Sequence, residues 1–135
     1  MDPQFDEVVS TLNRASELAA ARQDEAALPL YRAAVRNLLS LFQRNLEGES
    51  LRLLLIAFRG LAITALVTGR TDEGQLALGT ALAYANQGLK YWVDAPPLLD
   101  QRAVLLQLIE KAGGEQVCPV LVHDPQSEWT WPFDA

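Results

Sequence analysis

Cysteine and histidine are almost absent from this sequence, which contains one of each, Cys118 and His123. A single cysteine cannot form a disulfide within the chain, so the sequence predicts a reducing, cytoplasmic environment. A zinc site needs about four ligands, and no second pair of such residues accompanies these two. We therefore predict no metal and no other cofactor, and we expect a thiol that is followed by proline in an apolar run to be inert.

Positive charge is also scarce, since 17 acidic residues outnumber 11 basic ones and give a formal net charge of -6. Nucleic-acid binding depends on a surplus of Lys and Arg at the contacting face, so we expect no nucleic-acid partner. The amino-terminal residues MDPQFDEVV carry acids where a secretory signal carries basic residues, and they lack its apolar core. We therefore expect the chain to stay in the cytoplasm.

Residues suited to catalysis are few. The acids occur mostly in pairs near predicted helix ends, as at Asp24 and Glu25 or Asp72 and Glu73, where capping and solvation account for them. The histidine lies in a proline-rich tail, which is a poor position for a nucleophilic triad. Residues 69–74, GRTDEG, lack the Gly-Lys-Ser/Thr ending of a phosphate loop. The sequence therefore predicts a protein without catalytic residues, which is not an enzyme.

The most prominent feature that is present is an apolar stretch over residues 51–68, LRLLLIAFRGLAITALVT. Its apolar residues occupy almost every side of a helix, so such a helix must be covered on most of its circumference. Arg59 would lie at the midplane of a bilayer and Arg52 lies within the stretch, which disfavours a membrane span. We predict the buried central helix of an all-α protein that has no membrane partner. This helix should end at Gly69, and Leu54 and Leu61, seven residues apart, should face the core together.

Apolar residues at three- and four-residue spacing predict four further helices around the central one. Their approximate bounds are residues 3–22, 25–46, 71–92 and 98–112. Breaks of a few residues between helices are typical of antiparallel hairpins. We therefore predict about five antiparallel helices over residues 1–114, in hairpins or a compact bundle, and an extended, aromatic C-terminal tail over residues 115–135 with a short strand over residues 117–122.

Glycine, proline and small polar residues indicate where the helices begin and end. Gly48 is expected to end the second helix, and Ser50 and Thr71 are expected to cap the third and the fourth. Gly88 is a candidate stop within the fourth helix. Pro29 removes a helical hydrogen bond, which favours a start of the second helix at residue 25 or 26 rather than 24.

Two of the predicted hairpins share a spacing of small and large residues. In the second hairpin the pattern comprises Phe58, Leu61, Ala62, Ala65, Gly69, Gly74, Leu78 and Ala81, and in the first it comprises Ala15, Leu18, Ala27, Tyr31 and Ala34. This pattern resembles the tetratricopeptide repeat (TPR) family over roughly residues 11–88. The resemblance implies a concave helical surface that recognises a peptide or protein segment. A compact up-and-down bundle, which needs small residues at the same kind of crossing, is the alternative.

Arginines form two stripes on the predicted helices. Arg32 and Arg36 lie four residues apart on the second helix, and Arg52 and Arg59 lie seven apart on the central one. One interpretation is a solvated face that pairs with nearby acids. The other is a groove in which guanidinium groups bind the carboxylates of an acidic peptide. An unpaired guanidinium in so apolar a helix is costly, so we expect Arg59 to be paired or functional.

Aromatic residues occur in two groups. Near the end of the fourth helix, where they form either a wall of the groove or ordinary packing, lie Tyr84, Tyr91 and Trp92. In the tail, where an extended conformation projects three rings to one side, lie Trp129, Trp131 and Phe133. Large rings left in water forgo burial energy, so we expect the tail to dock. Its own helical body is the first candidate surface, and a neighbouring copy or a partner are the alternatives.

Two functions of different classes fit these features. The first is a non-catalytic adaptor that binds a peptide or protein segment in a helical groove. The second is a self-associating helical homodimer that regulates or inhibits a partner protein. The mass of the protein in solution separates them, because a monomer leaves the groove as the working surface.

Overall fold

A computed structural model of the chain describes residues 3–44, 48–92, 95–120 and 132–133. These residues form five α-helices and one short 3-10 helix. In chain order they are α1 (Pro3–Ala20), α2 (Asp24–Arg44), α3 (Gly48–Val67), α4 (Thr71–Tyr91), α5 (Pro96–Lys111) and η1 (Glu115–Val117). No strand occurs within the described ranges. The predicted all-α class with five helices is confirmed.

Helices α1, α3 and α5 end in the same way, with a residue at positive φ inside a turn that a backbone hydrogen bond closes. After α3, Gly69 has φ 84° and the N–H of Arg70 donates to the carbonyl of Ala65 at 2.8 Å. Arg22 takes the position of Gly69 after α1, with φ 61°, and Gly113 takes it after α5. This glycine-type cap stops the helix within two residues. The predicted end of the central helix at Gly69 is confirmed.

Proline does not shift the first residues of α2 and α5 to the later positions that the sequence predicts. Helix α2 begins at Asp24, where Ala27 N–H donates to the Gln23 carbonyl at 3.0 Å and closes the first turn. Pro29 therefore lies inside α2, so the predicted later start was wrong by one or two residues. Helix α5 begins at Pro96, two residues before the predicted start, because the first helical turn does not need the N–H that proline lacks.

Three predicted caps are also wrong. Gly48 is the first residue of α3 rather than the end of α2, and Ser50 is buried inside α3 instead of capping it. Thr71 is the first residue of α4, and the preceding cap residue Arg70 makes no side-chain capping hydrogen bond. Burial of Ser50 outweighs the local preference of serine for a cap, whereas Thr71 stays exposed and α4 begins one residue earlier than predicted.

Helix α3 is the centre of the fold, because it contacts each of the other four α-helices. Leu54 and Leu61, which the sequence predicts to face the core together, are both fully buried. By length and composition the window Ser50–Val67 could cross a membrane, with a mean hydropathy of 1.8, but 61% of it is buried inside the fold. The neighbouring helices therefore cover most of its apolar surface. The predicted buried central helix is confirmed.

The helices pack in sequence, and α3 also touches α1 on one side and α5 on the other. Helix α3 therefore contacts both of the other odd-numbered helices. Gly88, the candidate stop, is an interior residue of α4: a Cβ there would come within 2.2 Å of the Leu51 side chain. It lets α4 approach the start of α3 closely.

The chain after α5 packs back onto α4. Cys118 is buried, as expected for apolar filler, and burial together with the Glu115 charge raises the pKa of its thiol. A Cβ at Gly79 would lie 2.2 Å from the carbonyl oxygen of Pro119, so Gly79 makes room for this segment. The tail begins with η1 rather than extended chain, and residues 117–120 form no strand; the rest of the predicted strand lies outside the described residues.

The sequence predicts that three aromatic rings of the tail dock on the chain's own helices, and one of these rings lies within the described residues. Phe133 is half-buried and packs against the hydrophobic core of the helical body. Trp129 and Trp131 lie outside the described residues. Docking on the chain's own helices is therefore found for Phe133.

Candidate functional site

A cleft of about 540 Å³ lies between α1 and α3, above the start of α2. We call it the α1–α3 cleft. Its apolar lining consists of Leu12, Ala19, Leu53, Ile56, Ile63 and Val67. Ile63 is 41% exposed and Val67 is 64% exposed, so two aliphatic side chains of the core helix face water here. A cleft with an apolar lining and a few polar groups is the usual form of a binding site.

Tyr31 of α2 lies at the floor of the α1–α3 cleft, across Gly60 of α3. A Cβ at Gly60 would come within 2.2 Å of the Tyr31 ring, so only glycine admits the ring in this position. Burial raises the pKa of Tyr31, and a hydrogen bond with Ser16 and the charge of Arg59 partly oppose that rise. The ring therefore joins α1, α2 and α3 at the floor of the cleft.

Arg59 is the cation of the α1–α3 cleft. Its Nη1 donates a hydrogen bond to Oε1 of Gln101 on α5 at 3.1 Å. This bond supplies the predicted pairing, but the partner is a neutral amide. Among the described residues no carboxylate lies at ion-pair distance from this guanidinium. Asp24 lines the same cleft without forming such a pair.

Arg32 lies in a different place, between α2 and the start of α4. Its Nε and Nη2 donate to the two carboxylate oxygens of Glu73 at 2.8 and 2.6 Å. The Glu73 side chain is fully buried, and that of Arg32 is 18% exposed. Nearby, Arg70 donates two longer bonds of 3.3 Å to the exposed carboxylate of Glu25. We use the name α2–α4 junction for the region that comprises Arg32, Glu73 and the turn that precedes α4.

The structure separates the predicted arginine stripes. Arg59 lines the α1–α3 cleft, whereas Arg32 lines a concavity of about 360 Å³ at the α2–α4 junction. Arg36 is exposed on α2 and Arg52 is half-buried on α3, and neither lines the α1–α3 cleft. Of the four arginines, the cleft therefore contains Arg59 alone.

The predicted aromatic wall is not part of the cleft either. Tyr84 is half-buried and stacks on Phe58 with ring centroids 6.3 Å apart, and burial raises its pKa. Tyr91 is 70% exposed and lies beside Trp92, which packs against the core. These aromatic residues stay candidates for partner binding at the end of α4, away from the α1–α3 cleft.

Sequence reasoning missed the residues that shape the cleft. Ile63 and Val67 belong to a helix that is apolar on all sides, so no periodic signal marks the side that stays uncovered. Gly60 and Tyr31 are 29 positions apart in the sequence, and nothing local relates them. Only the repeated small-and-large pattern, in which Tyr31 takes part, points to this region.

Other chemistry finds no support in the described part of the chain. No three His, Cys, Asp or Glu side chains come close enough there to hold a metal ion, and His123 lies outside it. Comparison of the chain with protein-family models, with curated protein sequences and with solved structures finds no match.

Proposed function

We propose that this protein is a non-catalytic interaction module that binds a segment of another protein in the α1–α3 cleft. The observation that supports this proposal is the exposure of Ile63 and Val67 beside an apolar floor in the cleft. Burying apolar surface contributes about 25 cal/mol per Å², so a partner that covers both side chains gains affinity.

The charge of the cleft specifies the ligand further. Arg59 contributes a guanidinium that has one amide partner and no carboxylate partner among the described residues. A carboxylate on the ligand completes its hydrogen bonds in a bidentate geometry, which fits the acidic peptide that the sequence suggested. We therefore propose a peptide segment with aliphatic side chains for Ile63 and Val67 and one Asp or Glu for Arg59.

The test selects short peptides from a random display library on the full chain and measures their affinity by fluorescence anisotropy. We expect the selected peptides to combine aliphatic residues with an acid. Ile63→Asp should weaken binding about ten-fold or more, because it places a charge where the ligand buries apolar surface. Arg59→Met should reduce the preference for a peptide with Glu over the same peptide with Gln.

Leu99→Asp provides the matched control, because Leu99 is 46% exposed and lies on α5 outside the cleft. We expect it to leave peptide affinity unchanged. Equal loss from Leu99→Asp and Ile63→Asp would contradict the proposal. Light scattering tests the alternative function, the regulatory homodimer: a dimer whose mass falls to that of a monomer in Ile63→Asp would assign the cleft to self-association instead.

A further inference from the structure

The α2–α4 junction forms a concavity of about 360 Å³ that holds Phe133. The ring is half-buried, packs against the core and lines the same concavity as Arg32 and residues 69–73. Every other lining residue belongs to the helical body. An aromatic side chain from near the C-terminus thus rests on a surface that the helices build.

This surface, which we call the Phe133 seat, keeps its shape through contacts that do not involve the tail. Arg32 is held by two hydrogen bonds to the buried carboxylate of Glu73. The turn before α4 is closed by the hydrogen bond from Arg70 to Ala65, and Arg70 also pairs with Glu25. A site whose residues are held by other groups is pre-organised for a ligand, so little ordering is needed when a ring enters.

We propose that the Phe133 seat is a binding site for the phenylalanine side chain of a peptide segment, and that the chain's own Phe133 occupies it. The ring gains burial in the seat, where Arg32 and Arg70 are among the lining residues. Attachment through the chain gives Phe133 an effective concentration of the order of millimolar. A free peptide therefore competes poorly with Phe133 and binds well only when that residue is removed. The seat is separate from the α1–α3 cleft, so this inference does not depend on the proposed function.

The test uses the full chain with Phe133→Ala and a fluorescein-labelled peptide of residues 128–135, EWTWPFDA. We expect saturable binding of the peptide to the variant by fluorescence anisotropy. The wild-type chain should bind the peptide more weakly by about ten-fold or more, because Phe133 competes for the seat. The matched peptide EWTWPADA should bind the variant about ten-fold more weakly than EWTWPFDA. Equal binding of the two peptides, or no binding by the variant at millimolar peptide, would overturn the proposal.

A second pair of variants locates the binding. Thr71→Arg, added to Phe133→Ala, places a long side chain on an exposed lining position of the seat and should abolish peptide binding. Ser10→Arg, added to Phe133→Ala, places the same long side chain at an exposed position of α1. It should leave peptide binding intact. Binding that is lost with Ile63→Asp but kept with Thr71→Arg would assign the peptide to the cleft and overturn the seat.

Discussion

The α1–α3 cleft and the α2–α4 junction each contain a half-buried arginine, but the two guanidinium groups have different partners. Arg32 donates two hydrogen bonds, of 2.8 and 2.6 Å, to the fully buried carboxylate of Glu73. Arg59 donates one bond of 3.1 Å to the neutral amide of Gln101. A buried carboxylate compensates the charge of Arg32, whereas no carboxylate within the described ranges pairs with Arg59. The comparison predicts that Arg32 contributes more to the stability of the fold than Arg59 does, and under the proposed function it is Arg59 that binds the ligand.

The largest expected effect is on the junction. Arg32→Met removes both hydrogen bonds to Glu73, and breaking a buried ion pair costs about 3–5 kcal/mol because the remaining charge loses its compensation. Urea unfolding followed by circular dichroism measures this free energy. The double variant Arg32→Met with Glu73→Leu serves as the control and should recover most of the loss, since it leaves no buried charge. A loss below about 1 kcal/mol in the single variant would remove the contrast between the two arginines.

Gly60→Ala tests the floor of the cleft. Its Cβ would lie 2.2 Å from the Tyr31 ring, so the ring must move, and overpacking of this kind costs about 1–3 kcal/mol. Near-ultraviolet circular dichroism should report the displaced tyrosine, and urea unfolding should report the loss. In a Tyr31→Ala background the same substitution should instead be neutral or stabilising by up to about 1 kcal/mol, because alanine favours helix over glycine. Equal losses in both backgrounds would show that the ring is not the obstacle.

Arg59→Met sharpens the comparison, because the same substitution at Arg32 should be far more costly. We expect the free energy of unfolding to change by less than about 1 kcal/mol, since one hydrogen bond to an amide is lost and methionine keeps much of the apolar stem. Urea unfolding of the two variants side by side measures the difference. Gln101→Leu is the control that removes the same bond and keeps the cation. A loss from Arg59→Met as large as that from Arg32→Met would assign Arg59 to the folded framework.

The exposed ion pair at the junction should contribute less than the buried one. Glu25→Gln removes the charge that Arg70 contacts at 3.3 Å, in a pair whose side chains are 41% and 71% exposed. Exposed pairs contribute about 0–1 kcal/mol and are screened by salt. We expect a small loss in urea unfolding at low ionic strength that disappears at high ionic strength. A loss that persists in salt would mean that the pair is effectively buried.

The smallest expected effect is a change in tyrosine titration in the cleft. Burial raises the pKa of Tyr31 and the charge of Arg59 lowers it, so Arg59→Met should raise that pKa further. Burial alone raises the pKa of Tyr84, so that residue is the internal control. Titration of tyrosine labelled with ¹³C at Cζ, followed by NMR, measures both. A Tyr31 pKa that does not move would place the guanidinium farther from the hydroxyl than the cleft geometry indicates.

The raised pKa values of Tyr31 and Tyr84 also determine how the free energy of unfolding changes at alkaline pH. The unfolded chain loses its tyrosine protons above a pH of about 10, whereas folded Tyr31 and Tyr84 keep theirs to a higher pH. The native state then binds more protons, so the free energy of unfolding is highest below that pH and falls as the pH rises toward the folded pKa values. Urea unfolding of the wild-type chain and of Tyr84→Phe at neutral and alkaline pH should show a smaller fall in the variant.

The five helices and the central position of α3 could be predicted because they depend on periodicity and composition along the chain. An apolar run that leaves no polar face requires neighbours on most sides, and Leu54 and Leu61 are accordingly buried. The end of α3 could also be predicted, because the turn there needs a residue at positive φ and Gly69 provides it. The cap at Ser50 was predicted wrongly, because burial of this residue outweighs a local preference of about 1 kcal/mol, and the cap at Thr71 was wrong by one residue.

By itself, then, the sequence determined the helices, their order and the presence of arginines and aromatic rings within them, because these follow from short-range spacing. Only the tertiary structure decided which arginine is compensated: Arg32 meets Glu73 from 41 positions away, and Arg59 meets Gln101 from 42 positions away. Neither spacing distinguishes a buried carboxylate from an amide at the edge of a cleft. The packing of the helices against one another makes that choice, since it decides which side chains lose water together.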